Sequence, residues 1–230
     1  MSLPSFLTIT RGEAPLLVSL PHTGTEIPEE YVAGLVSPWL ARKDCDWWVE
    51  RLYDFAAGLG ATVIHTSISR TVIDVNRDPS GASLYPGQAT TELVPTTTFD
   101  GEPLYAPGRE PDSDSISRRK ALFFEPYHRA LADEIARLRA LHPHIVVYDC
   151  HSIRSVIPRL FEGTLPEFNI GTNGGVTCDP ALESAVAELC RASGRSTVVN
   201  GRFRGGFITR HNGRPADGGH AIQMELESLK

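Results

Sequence analysis

Residues 144–153 read HIVVYDCHSI. The unbroken apolar run from Ile145 to Tyr148 has the pattern of a strand buried on both faces. A sheet covered by helices on both sides requires such strands, so the stretch points to an α/β domain. The run then turns polar within three residues, Asp149, Cys150 and His151. Alternate side chains of a strand share a face, so Asp149 and His151 point one way and Cys150 the other. A Cys150–His151 nucleophile pair is disfavoured on that ground.

Working outward, LLVSL at 16–20 is a second buried strand, ended by Pro21 and followed at once by His22. The β-branched runs 61–68 and 71–75 predict two more strands, bracketed by Arg70, Asn76 and Arg77. Shorter strands are expected at 197–199 and 220–227. Helical spacing is read over 46–59 (Trp48, Leu52, Phe55, Ala56, Leu59) and over 117–141, where Pro126 kinks the helix or starts its second half. A third helix is read over 179–192. Residues 78–114 are rich in Pro, Gly, Thr and Ser and show no period, as in a functional loop or lid. Open α/β sheets bind ligands at the carboxyl ends of their strands, which is where the polar residues fall.

The chain has 230 residues, 41% hydrophobic and 22% charged, which suits one soluble domain spanning 1–230. A net charge of −6 argues against a broad nucleic-acid surface. Lys43, Lys120 and Lys230 are the only lysines, so 19 cations are arginines, whose planar fork suits carboxylates. Cys45, Cys150, Cys178 and Cys190 are widely spaced and read as free thiols of a cytoplasmic protein. The start MSLPSFLTIT lacks the pattern of a signal peptide, and no stretch is apolar enough for a bilayer span. G-x-S-x-G, Walker A and G-x-G-x-x-G are absent, so serine-hydrolase and nucleotide readings have no support.

His22 and His151, on separate strand ends, make a His₂-carboxylate zinc site plausible, with one position left for water. Glu26, Asp44, Asp46 and Asp149 are the carboxylate candidates. Asp46 has a second reading as the cap of the helix expected to begin there. In the last strand, Ile222, Met224 and Leu226 alternate with Gln223, Glu225 and Glu227. That polar face either meets water at a sheet edge or places a carboxylate beside the metal as a general base.

Together these segments resemble the N-formylglutamate amidohydrolase family. The stretches that carry the resemblance are VSLPHTGTEIP (18–28), DCDWWVERLY (44–53), SRTVIDVNRDP (69–79) and YDCHSI (148–153). They continue with NIGTNGG (169–175), GRFRGGFITRHNGRP (201–215) and AIQMELE (221–227). The resemblance implies a fold like that of zinc carboxypeptidases and aspartoacylases, a mixed, mostly parallel sheet with helices on both faces. It implies a Zn²⁺ enzyme that releases formate from N-formyl-L-glutamate, the last step of one histidine-degradation route. It assigns His22, His151 and Asp46 as metal ligands, with Glu26 as the alternative third, and Glu225 as the carboxylate that activates water.

Arg70 is then expected to stabilise the oxyanion, and Asn76 and Arg77 to hold a substrate carboxylate. For the second carboxylate the candidates are Arg154, Arg159, Arg204 and Arg210. Arg210 is preferred because it lies in the matched FITRH segment; its neighbour His211 is read as a substrate contact or a structural residue. The expected partner is a small anionic N-acyl amino acid. Two departures stand out: Asn212 where the family usually has Tyr, and a chain that stops at Lys230 where the family commonly continues. Competing readings are a zinc carboxypeptidase, a deacylase for a larger acyl group, or an inactive carboxylate-binding module.

Overall fold

The computed structural model describes residues 3–84 and 87–228; Met1, Ser2, Tyr85, Pro86, Leu229 and Lys230 lie outside the described residues. Seven strands form one sheet: β1 (Leu7–Thr10), β2 (Leu16–Leu20), β3 (Thr62–Thr66), β4 (Ile145–Arg154), β5 (Phe168–Gly171), β6 (Thr197–Val199) and β7 (Gly219–Ser228). Their order is β1-β3-β2-β4-β7-β5-β6. The central pairs β3–β2, β2–β4 and β4–β7 are parallel, as is β5–β6, while β1–β3 and β5–β7 are antiparallel. The sheet is therefore mixed and mostly parallel, as expected.

Around it lie α1 (Glu29–Val32), α2 (Val49–Leu52), α3 (Phe55–Gly58), α4 (Ser113–Arg119), α5 (Glu125–Leu141), α6 (Pro180–Ala192) and α7 (Phe207–Asn212). Asp112 caps α4 by accepting from Ser115 N, and Asp179 caps α6 by accepting from Ala181 N. Pro126 sits in the first turn of α5, where its missing N–H costs no helical bond. A π turn, Lys120–Phe124, joins α4 to α5 just ahead of it. Tyr127, Leu131 and Leu138 of α5 bury their side chains against Leu17, Ile145, Val147 and Ala221 of the sheet. The opposite face packs Val18, Leu20 and Cys150 under α2 and α3, and Ile170, Ile222 and Met224 under α6.

Two expected elements are corrected. Residues 71–75 form no strand: Val72 N bonds Ser69 O, Arg77 N bonds Asp74 O, and Asp74 N reaches Leu93 O across the loop. Val72, Ile73 and Val75 are buried all round in this turn, so their apolar run reflects packing rather than pairing. The helix read over 46–59 is two single turns, α2 and α3. Trp48 takes φ +67°, a left-handed conformation that stops a helix from starting at Asp46. Of the residues expected inside, Ala56 is buried, but Trp48, Leu52, Phe55 and Leu59 are each more than half exposed, and Val49 is buried instead. The sequence also gave no warning of β1, β5 or α7.

The long loop, 78–112, has no helix or strand among its described residues, yet Leu93, Val94, Phe99, Leu104 and Tyr105 bury their side chains. It is packed against the domain over much of its length.

Candidate active site

β2 runs to one side of the sheet through β3, and β4 lies on its other side, so the topological switch falls between β2 and β4. A crevice at that switch is the ordinary ligand position in such sheets. His22 follows β2 by two residues, and His151 stands in the C-terminal half of β4. The parallel register sets Ser19 beside Asp149, Asp149 beside Gln223, and His151 beside Glu225. All five are buried and share the α5 side of the sheet, where Ser19 bonds the Tyr127 hydroxyl of α5. β7 is thus an interior strand, and its Gln223 and Glu225 face this crevice rather than water at an edge.

His22, Asp46 and His151 converge. Their Nδ1, Oδ2 and Nδ1 atoms form a triangle with sides of 3.1 Å (His–His), 3.2 Å (His151–Asp46) and 3.8 Å (His22–Asp46). Zinc bonds of about 2.1 Å in tetrahedral geometry place ligand atoms roughly 3.4 Å apart, so the triangle matches a small divalent ion. The other oxygen of Asp46, Oδ1, is buried without a hydrogen-bond partner. Two imidazoles and a carboxylate are the donor set of many zinc sites, and these residues fit that group.

Each histidine is oriented from behind. His22 Nε2 donates to Asp74 Oδ1 at 2.7 Å, and His151 Nε2 lies 3.0 Å from Asp149 Oδ2. Asp149 also accepts from Ser19 Oγ and Asn76 Nδ2. Carboxylates in this position fix the ring tautomer, leaving Nδ1 to face the centre of the triangle. Burial, with Arg70 nearby, lowers the His22 pKa. Burial opposes charge on His151 too, but Asp149 and Asp46 outweigh it and raise that pKa well above the usual value. Asp46 is not a helix cap: its Oδ2 accepts from Ser152 N on β4.

Of the other carboxylate candidates, Asp44 is bound by Phe99 N and Arg154, while Glu26 is exposed and accepts from Ser67 Oγ. Neither belongs to the three-residue cluster.

Arg70 is buried, donates to Asp74 Oδ2 at 2.6 Å, comes within 3.9 Å of Asp46 and lies over the Phe99 ring. Burial opposes its charge, but Asp74, Asp46 and Asp44 outweigh that and hold it protonated. Against the same burial, Arg70, His22 and Arg77 keep the Asp74 carboxyl well below the usual carboxylate range. Glu225 differs: burial pushes its carboxyl up to about 8, and Gln223 Nε2 donates to its Oε2. His22, Arg70, Asp74, His151 and Glu225 line one cleft together with Ala89, Thr90 and Thr91 of the long loop. Cys150 points away, and burial beside Asp149 raises its thiol pKa well above the ordinary value.

A sequence model of the N-formylglutamate amidohydrolase family matches residues 14–229. The chain belongs to this family. It is 48% identical over 221 residues to the N-formylglutamate deformylase of Pseudomonas aeruginosa, covering 96% of this chain and 83% of that protein. The N-formylglutamate deformylase of Pseudomonas putida is 46% identical over 221 residues, with 96% and 82% covered. The crystal structure of N-formylglutamate amidohydrolase from Ralstonia eutropha JMP134 matches with a TM-score of 0.81 at 25% identity, covering 97% of this chain and 86% of that one. A gene product of Agrobacterium tumefaciens shares the fold, with a TM-score of 0.71, 20% identity and 97% and 85% covered.

Within this N-formylglutamate amidohydrolase family member, not every residue expected at the site reaches it. Arg210 bonds Gly205 O through Nε, and His211 is exposed and stacks on Phe207; neither lines the cleft. Both ride on α7, a helix the sequence did not announce. Asn76 does line the cleft, but its amide already serves the protein, donating to Asp149 and accepting from Ile208 N. It builds the site's frame.

Arg77 lines the cleft as expected and donates to Thr91 Oγ1. Asp74, Gln223 and Arg202 were not foreseen. The signal for the first two was present, since Asp74 opens the D-x-N-R stretch and Gln223 the Q-x-E stretch.

Proposed function

We propose that this chain hydrolyses the formyl amide of N-formyl-L-glutamate, giving formate and glutamate, and that one Zn²⁺ is held by His22, Asp46 and His151. The observation that carries this reading is the buried triangle of ligand atoms opening into a cleft that also holds Glu225 and Arg70. The names of the relatives support the substrate, which is a small anionic N-acyl amino acid. A zinc ion there supplies Lewis acidity toward the scissile carbonyl and toward water.

The chain's own residues supply the rest. Glu225, whose burial makes it a stronger base than a surface carboxylate, takes a proton from the attacking water and delivers it to the departing amine. The C–N bond breaks as that nitrogen is protonated. Arg70, pinned by Asp74, presents its guanidinium to the oxyanion, a contribution of roughly 3 kcal/mol for a pre-oriented donor. Arg77 binds a substrate carboxylate, while Asp74 and Asp149 hold the imidazoles in place. We read residues 1–230 as one metallohydrolase domain working in the cytoplasm. Its four free cysteines and the lack of any helix long and apolar enough to cross a membrane among the described residues accord with that.

The test is formate release by zinc-loaded protein from a panel of N-formyl, N-acetyl and N-succinyl amino acids. N-formylglutamate is expected to be turned over fastest, with activity abolished by a chelator and restored by zinc. Faster release of a larger acyl group, or a protein inert toward the whole panel, overturns the reading.

A further inference from the structure

We infer that Gln223 is a positioning residue for the base: its amide, locked by Gly206, aims the Glu225 carboxylate at the water it deprotonates. The inference deepens the amide-hydrolysis reading and rests on it for the role of Glu225. Gln223 and Glu225 are two apart on β7, so their side chains share the face that meets the cleft. Gly206 N donates to Gln223 Oε1 at 2.7 Å, and Gln223 Nε2 donates to Glu225 Oε2 at 3.3 Å. A main-chain N–H can only donate, so it dictates which end of the Gln223 amide is oxygen. The NH₂ end is thereby turned toward Glu225. One carboxylate oxygen is held by a fixed donor, which sets the plane of the group and the direction of the other oxygen. The donor is an amide, so it orients the carboxylate without adding a charge.

Three stretches singled out in the sequence, NIGTNGG, GRFRGG and QMELE, meet at this point, and the register of the sheet explains how. Across the antiparallel β5–β7 ladder, Gly171 pairs with Gln223 and Asn169 with Glu225. Asn169 Nδ2 donates to the main-chain O of Glu225 at 3.2 Å and to Pro166 O at 2.6 Å, which pins the backbone that carries the base. Gly171 lets another segment come close: a Cβ there would stand 2.6 Å from Gly205 N and 2.7 Å from Arg204 C. Without that Cβ, residues 204–206 lie against the sheet and bring the Gly206 N–H within reach of Gln223. Arg204 O accepts from Asn173 N, which ties the same segment to the turn after β5.

The test is steady-state formate release by zinc-loaded wild type, Gln223→Met and Gln223→Glu, with Glu225→Gln as a reference background. Methionine keeps the length of the side chain and loses both bonds. Glutamate keeps an oxygen for Gly206 and loses the amide donor; it also carries the test if Gln223→Met folds poorly. Each variant should retain zinc and lower kcat about 30–100-fold, with KM changed less than about threefold. In the Glu225→Gln background, Gln223→Met should change the residual kcat less than about threefold, because the residue it acts through is already gone.

Losses that multiply across the two positions overturn the assignment, since a general loosening of the site would give them. A rise in KM with kcat intact overturns it in favour of a substrate contact. Full kcat in Gln223→Glu overturns it in favour of a plain strap to Gly206. Wild type inert toward every N-acyl amino acid overturns the hydrolase reading and this inference with it. Wild-type turnover that no Gln223 substitution alters overturns the inference alone.

Discussion

Asp74 holds His22 with one oxygen and Arg70 with the other, at 2.7 Å and 2.6 Å. One buried carboxylate thus orients both a ring of the His22–Asp46–His151 triangle and the guanidinium beside it. Because an amide cannot accept at both atoms, Asp74→Asn must release one of the two. We expect zinc affinity to fall about 10–100-fold, read by competition with a chromophoric chelator. Unaltered affinity together with unaltered kcat would remove Asp74 from the site's support.

Replacing His151 with Ala removes a ligand atom at the centre of the triangle, and zinc content should drop from about one to below about 0.1 ion per chain. Glu26→Gln is the control. Glu26 is exposed and bonded to Ser67, so that variant should keep its metal. Metal analysis of the two purified proteins decides between the carboxylates first considered, and full occupancy in His151→Ala would sink the ligand assignment.

Glu225→Gln preserves shape and removes the base. Zinc should remain bound while kcat falls by roughly 10³-fold, in the range of a lost general base. Near-normal turnover would assign the proton transfer to another group.

Gly206 has almost no room above its Cα: a Cβ there would stand 2.5 Å from the Asn76 amide atoms. Its N–H also donates to Gln223 Oε1. Gly206→Ala should therefore push Asn76 off Asp149 and cost about 2 kcal/mol, lowering Tm by roughly 4–8 °C in a scan of the purified protein. An unshifted Tm would mean that this contact yields without strain.

Away from the site, His128 donates to Val75 O at 2.8 Å beside Phe124 and Phe207, and burial pushes its pKa down to about 4. In the unfolded chain the value is about 6.5, so the unfolded state takes up the proton first as pH falls. The stability at stake is intact above pH ~6.5 and drains away toward pH ~4, on the order of 2 kcal/mol. Denaturant unfolding of wild type and His128→Gln at pH 7 and pH 4.5 should show their difference shifting against wild type by that amount on acidification. Parallel pH profiles would contradict it.

The parts of the fold legible in the sequence are those where local pattern and burial agree. LLVSL and Thr197–Val199 form strands at the positions read, and alternation alone separated Asp149 and His151 from Cys150. Residues 46–59 misled because their apolar side chains repeat at helical spacing without being buried. The pull of Asp46 into the crevice dictates that backbone instead. Residues 71–75 misled in the opposite sense, being buried but unpaired.

At the site, His22 just past β2 and the strand-borne His151 and Glu225 could be placed from their strands, and all three line the cleft. Arg210 could not, since its side chain turns back to Gly205 O and does not line the cleft. Arg202 shows the same limit: it lines the cleft, and no local pattern in its segment announces that.

β7 is the last strand among the described residues and also an interior strand of the sheet, paired with β4 over ten residues and with β5 on its other side. A chain emerging from the ribosome has nearly every other element in place before these residues arrive. Until then it holds two separate sheet fragments with facing unpaired edges, the kind of surface that invites misassembly. Closure of that gap and delivery of Glu225 are one event. Until β7 is seated, the cleft therefore lacks both Glu225 and Gln223.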